Sequence, residues 1–224
     1  MEINSNCKLR ALVHTVREPW VPSPMPGVER RMLDRIGGEV ARATSIVRYA
    51  PQSRFSPHTH DAGEEFLVLE GVFQDEHGDY PPGTYVRNPP GSTHAPRSAE
   101  GCTIFVKLRQ FAPDDRTAVR IETAGRPFVP LAAEAGVAVL PLFEDLRERV
   151  RLERWEPGTS RSFRALGGLE LLVLEGSLIE GTETLTRHDW LRLPAGTDWH
   201  AVAGPAGVCL WVKERQASGP PAPE

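Results

Sequence analysis

The residues best suited to chemistry are three histidines and an acid spread over 37 positions. His58-Thr59-His60 sits between Ser56-Pro57 and Asp61-Ala62-Gly63. On a strand, positions i and i+2 share a face, so these two imidazoles can converge on one ion. Glu64 follows a turn-forming Asp61-Ala62-Gly63 and can add a carboxylate oxygen from the start of the next strand. Glu65 stands beside it and would point the other way. The turn can reset strand parity, so spacing leaves both acids open. His94 ends the stretch Pro89-Pro90-Gly91-Ser92-Thr93-His94, where a Pro-Gly turn would return the chain beside the first pair. Three neutral imidazoles and one carboxylate fill four positions on a divalent ion. One or two more remain for water, O2 or a substrate oxygen. Imidazole suits Zn, Fe, Ni and Cu and carboxylate also admits Mn, so the donor set predicts one divalent ion without naming it.

The elements that must position these groups read as short strands. ATSIVRYA (43–50), EEFLVLEGVF (64–73) and CTIFVKLRQ (102–110) are rich in β-branched or aromatic residues and bounded by Gly, Pro, Asp or Ser. RVRLERW (149–155), LELLVLEGSLI (169–179), WLRLP (190–194) and VCLWVKE (208–214) have the same character. The pentapeptide LVLEG occurs at 67–71 and again at 172–176. Arg48-Tyr49-Ala50-Pro51 answers Arg154-Trp155-Glu156-Pro157, and Phe105-Val106-Lys107 answers Trp211-Val212-Lys213. Matches in one order at a near-constant offset mean that one unit occurs twice. Many short strands at this spacing predict an all-β sandwich or barrel. FEDLRERVR (143–151) has the composition of a helical turn. Residues 112–135 are rich in Ala, Pro and charge and mark the boundary between the units.

Composition narrows the function classes. The 224 residues carry a net charge of -4, which is not the footprint of a nucleic-acid binder. There is no polybasic run for an anionic membrane and no apolar run long enough to span one. The three cysteines, Cys7, Cys102 and Cys209, show no CxxC spacing and fit a reducing compartment. The N-terminus lacks the apolar stretch of a signal peptide, so the sequence reads as cytoplasmic.

The motifs also carry a resemblance. Residues 58–71 read H-x-H-x3-E-x6-G, and residues 83–94, from Gly83 through Pro89 and Gly91 to His94, read G-x5-P-x-G-x2-H. These resemble the two signature motifs of the cupin superfamily. The wording HTHDAGEEFLVLEGVFQDEHGDYPPGTYVRNPPGSTHAP is similar to one branch, the cupin domain of the ChrR anti-sigma factor and its stand-alone relatives. The resemblance covers about residues 20–110. It implies two tandem cupin barrels (double-stranded β-helix, or jelly-roll), and it favours Glu64 over Glu65 beside His58, His60 and His94. Where the family's second motif ends in Asn, this chain has Ser98, a departure that bears on turn structure rather than on the metal. The implied layout is a metal-binding domain at 1–115, a linker at 116–135, a degenerate second cupin at 136–216 and a disordered tail at 217–224. In the second copy Phe163, Ala165 and Leu169 stand where His58, His60 and Glu64 do, and His200 lies one residue out of register with His94. One His does not make a site.

The other candidates have plainer readings. His77 falls at a hairpin tip, His14 and His188 read as surface residues, and His200 reads as structural. Cys102 reads as a small buried hydrophobe. Phe66, Tyr85 and Phe105 read as core that can also line a pocket. Glu65, Arg54, Tyr85 and Arg87 neighbour the ligands in sequence, and no general base is evident besides the ligands. The resemblance implies a mononuclear-metal dioxygenase acting on a small oxygen-rich or dicarbonyl compound. The alternatives are a ChrR-like stress-sensing or regulatory lobe, or a small-ligand barrel with a structural metal. The anti-sigma activity does not carry over. That domain needs a His-x3-Cys-x2-Cys cluster, and only Cys7 and His14 precede residue 50 in the chain. The expected partner is a small molecule, with no nucleic acid and no membrane. A homodimer is compatible with this reading.

Overall fold

The computed structural model describes residues 1–216, so the expected tail at 217–224 lies outside the described residues. Among the described residues strand follows strand, and the one helical turn is a 3-10 turn at Thr15–Arg17. No helix among the described residues is long and apolar enough to cross a membrane.

The chain divides into two compact units. Among the described residues the first takes Met1–Ser5 and Glu18–Gly125, and the second takes Asn6–Arg17 and residues 126–216. This differs from the sequence reading in two places. Ala11–Val13 does not join the first unit but pairs antiparallel with Trp190–Leu193 of the second, Leu12 opposite Leu191. The buried carboxylate of Asp189 anchors this segment, accepting from the Thr15 amide at 3.0 Å and facing His14 Nδ1 at 2.9 Å. His14 is therefore half-buried and paired, not a plain surface histidine. The expected linker is also structured at both ends. Val119–Glu122 adds a strand beside Thr84–Asn88, and Val129–Pro130 pairs with Val137–Glu144.

In the first unit an eight-stranded sheet contains the run Val28–Gly37, Ala41–Tyr49, Cys102–Leu108, Glu64–Gly71, Thr84–Asn88. A four-stranded sheet holds Phe73–Asp75 and Gly78–Tyr80, and a two-stranded ladder joins His58–His60 to Ser92–His94. Among the described residues neither large sheet closes on itself by hydrogen bonds, so the units are open double-stranded β-helices rather than closed barrels. Strand alternation sorts the side chains. Phe66, Val68, Val86, Ile104 and Val106 enter one core with Phe73 and Tyr80 from the smaller sheet. Such burial supplies about 1.5–3 kcal/mol for each large apolar side chain. Leu67, Tyr85 and Phe105 lie on the opposite face of the large sheet and are also buried.

The repeated LVLEG has a backbone cause. Gly71 and Gly176 both adopt positive φ, at 66° and 73°. A Cβ on either would come within 2.1 Å of a carbonyl oxygen, that of Gly101 or Gly207. Only glycine fits this close approach, which lies beside a register shift in both copies. FEDLRERVR holds no helical turn. Val137–Glu144 and Glu148–Trp155 form a hairpin, and the Asp145 carboxylate accepts from the Arg147 and Glu148 amides, both at 2.8 Å. This local bond competes with helix and wins at the turn.

Candidate metal centre

His58 and His94 face each other directly across the two-stranded ladder, with His60 opposite Ser92. The turn that brings them together is held by Ser92 N–H donating to the Pro89 carbonyl at 3.0 Å and Gly91 N–H donating to the His60 carbonyl at 2.9 Å. Nitrogen atoms of His58, His60 and His94 all lie within 4.8 Å of one another. His60 Nε2 is 2.9 Å from His94 Nε2, and Glu64 Oε2 is 3.5 Å from the former and 3.4 Å from the latter. Two donors about 2.1 Å from one ion stand about 3.0 Å apart at a right angle and about 3.4 Å apart at the tetrahedral angle. The spacing among these three donors is therefore what a shared divalent ion requires, and the donor set of imidazoles and carboxylate fits it.

Strand parity separates the two acids. Glu64 shares the face of Phe66 and Val68, and Asn88 Nδ2 donates to its Oε2 at 3.1 Å. Glu65 points to the other face, is 2% exposed, and accepts from the Tyr85 hydroxyl at 2.6 Å. It lies opposite Arg87 and Lys107 on the neighbouring strands. Glu65, Tyr85 and Arg87 thus belong to a buried polar layer on the far side of the sheet, and Arg54 is exposed on a separate strand.

Two of the three rings are oriented by a second contact. His58 Nδ1 is 3.0 Å from the Ser56 carbonyl, which presents Nε2 inward. His94 Nδ1 is 3.3 Å from Asp75 Oδ2, and Asp75 also accepts from the Tyr80 hydroxyl at 3.0 Å and the His77 amide at 2.8 Å. Carboxylates behind ligating imidazoles set tautomer and raise ligand basicity. Sequence reasoning missed Asp75 and Asn88. They sit on strands that come to the histidines only through pairing and have no motif spacing of their own.

The electrostatics divide the histidines. Burial holds the His60 imidazole below its usual range, with Glu64 opposing and His94 and His58 assisting. Burial also opposes charge on His94, but the Asp75 hydrogen bond and the Glu64 carboxylate outweigh it, and the net direction is upward. Asp75 is desolvated, yet the bonds from His94, His77 and Tyr80 win and lower it. Burial, followed by the field of Asp75, raises Tyr80, so its hydroxyl stays a donor.

The remaining sequence candidates fall elsewhere. His77 is exposed at its turn. Ser98, where the cupin motif has Asn, is buried and donates to the Val72 carbonyl at 2.7 Å. Cys102 is buried, and burial pushes its thiol up to about 11. In the second unit Phe163 pairs with Trp199 across the ladder, just as His58 pairs with His94. Phe163 and Trp199 stack edge to face at 5.1 Å, and Ala165 and Leu169 are buried beside them. An apolar plug fills the position equivalent to the candidate ligands of the first unit. His200 turns to the opposite side and meets Ser162 Oγ at 2.8 Å.

Residues 8–112 match the sequence model of the ChrR Cupin-like domain. This stretch, just under half of the chain, is similar to the ChrR-like cupins. Curated proteins give no match to the chain. Solved structures share the cupin fold at low identity. A proposed dioxygenase from Nostoc punctiforme superposes with TM-score 0.75 at 15% identity, covering 99% of this chain and 84% of its own. The E. coli protein Ylba gives TM-score 0.72 at 13% identity, covering 97% and 95%. Salicylate 1,2-dioxygenase from Pseudaminobacter salicylatoxidans gives 0.65 at 13% identity, covering 96% and 85%. At these identities the likeness carries the double-stranded β-helix fold over nearly the whole chain and nothing finer.

Proposed function

We propose that this cupin holds one divalent metal ion on His58, His60, Glu64 and His94 and is a dioxygenase-type enzyme for a small oxygen-rich or dicarbonyl compound. The observation that carries the reading is the convergence of His60 Nε2, His94 Nε2 and Glu64 Oε2 at 2.9–3.5 Å beside His58. Such an ion supplies Lewis-acid chemistry and, when redox-active, one-electron chemistry toward O2. The chain's own part is positioning. The Ser56 carbonyl and Asp75 fix two ring orientations, and Asn88 fixes the Glu64 carboxylate. Phe73 packs at 6.0 Å from the His94 ring and Phe55 at 6.0 Å from the His58 ring, giving the centre an apolar wall on that side. His58 and His60 are only half-buried, which favours an open position over a sealed structural site. Access from that side suits a small-molecule partner in a soluble, cytoplasmic protein.

The test has two stages. Metal analysis of the purified chain should find about one equivalent of divalent ion, lost in the His58→Ala/His60→Ala variant. Unchanged metal content in that variant removes the site. The chain loaded with Fe(II) is then screened for O2 consumption against β-diketones and related dicarbonyl compounds. Metal retention with no O2 uptake on any of them overturns the enzyme reading and leaves the sensing or structural one.

A further inference from the structure

The internal repeat allows one unit to serve as a control for the other. In the first unit the strand Ala41–Tyr49 turns Ala43, Ser45, Val47 and Tyr49 to one face, where Val47 and Tyr49 join the core. The equivalent strand Glu148–Trp155 carries Arg149, Arg151, Glu153 and Trp155 at those positions, opposite the same partners one repeat on. A row with no charge has become a row with three. Arg151 and Glu153 are buried, and Glu153 is 1% exposed. Its carboxylate accepts from Arg151 Nε at 2.7 Å, Trp155 Nε1 at 2.8 Å and Arg161 NH1 at 2.6 Å. The fold does not need these ions, since the first unit builds the same strand without them. Buried ion pairs are often no more stabilising than apolar residues of similar size. Their presence therefore calls for another use.

That use lies against them. A cavity of about 490 Å3 opens on Arg149, Arg151 and Arg161, and its other walls include Val139, Phe143 and Phe163. The volume is that of a small-molecule pocket. Arg151 spends Nε on Glu153 and NH1 on Glu214 at 3.1 Å, and its other terminal nitrogen has no partner among the described residues. Among the described residues Arg149 is bound only to Glu144, in a pair with both side chains about half exposed, which is worth little in water. Glu134, Glu144 and Glu214 also line the walls, but each already accepts from an arginine. Spare guanidinium donors facing an apolar pocket match a carboxylate on an apolar body.

We propose that the second unit, having lost the metal ligands, is a binding site for a small organic carboxylate held by Arg149 and Arg151 against the wall of Val139, Phe143 and Phe163. The test is calorimetric titration of the full chain with benzoate and with benzamide, its uncharged analogue. Benzoate should bind at one site per chain, with benzamide at least about tenfold weaker for want of the charge-assisted bonds. The His58→Ala/His60→Ala variant should bind benzoate as the parent does, which separates this site from the metal centre. Arg149→Gln and Arg151→Gln should each weaken benzoate by about tenfold or more, and Val139→Phe should block it by filling the cavity. Arg149 is at the rim and its variant tests the idea even if Arg151→Gln fails to fold. No benzoate binding by the parent overturns the proposal. So do equal affinity for the amide, loss of binding in the histidine variant, or unchanged affinity in Arg149→Gln and Val139→Phe.

Discussion

Replacing Asp75 by Asn removes one negative charge from behind the candidate metal centre while keeping the side chain's shape. Asp75 and His94 are each 3% exposed, so water does not screen their contact. The contact is long at 3.3 Å, and the Asn oxygen can still accept from His94 Nδ1. Supporting groups of this kind change metal affinity by about 10–100-fold, or about 1.4–2.8 kcal/mol, and the long bond places this variant at the lower end. Asp75→Ala should cost more, because it leaves the His94 ring, the Tyr80 hydroxyl and the His77 amide without their acceptor. Competition for Zn(II) against a chromogenic chelator measures both variants, with circular dichroism to check the fold. The metal-free chain gives a second readout. In the parent, His94 is raised in the folded state, so its contribution to stability is complete below the unfolded pKa and is lost as pH rises through the folded value. In Asp75→Asn the His94 titration, followed by NMR, should move down and that contribution should shrink. Affinity within about twofold of the parent in both variants would refute the positioning role.

Other outcomes follow from the same contacts. Gly71→Ala should lower thermal stability by about 2 kcal/mol or more, since its Cβ would meet the Gly101 carbonyl at 2.1 Å in a left-handed backbone, and a thermal melt checks it. Thiol labelling of the native chain at mild alkaline pH should modify exposed Cys7 alone. Burial raises Cys102 to about 11 and also raises Cys209, so both should react only on unfolding, as mass spectrometry of the labelled chain will report. Metal uptake through the imidazole titration range should release protons from His94 before His60, because the Asp75 bond and Glu64 shift His94 upward while burial shifts His60 downward. A pH indicator in weak buffer reads the release, and uptake without it contradicts the assignment of His94.

The sequence by itself determined the all-β class, the internal repeat and the cluster of His58, His60 and His94. These are properties of local pattern: period-two alternation, turn residues and motif spacing are written in neighbouring positions. It also showed the second copy bare of ligands, through Phe163, Ala165 and Leu169. Tertiary structure decided what depends on contacts between distant strands. Without the resemblance, spacing could not choose between Glu64 and Glu65, because a turn resets parity. Pairing with Asn88 and Leu108 put Glu64 beside the histidines and sent Glu65 to Tyr85. Asp75 reaches His94 from another sheet, 19 residues away. The segment holding Ala11–Val13 leaves the first unit for an edge strand of the second. The arginine row of the second unit reads as an ordinary charged strand until its partners show that it faces inward. Hydrogen-bond pairing is long-range and cooperative, so side-chain neighbours across a sheet exist only once the register is set.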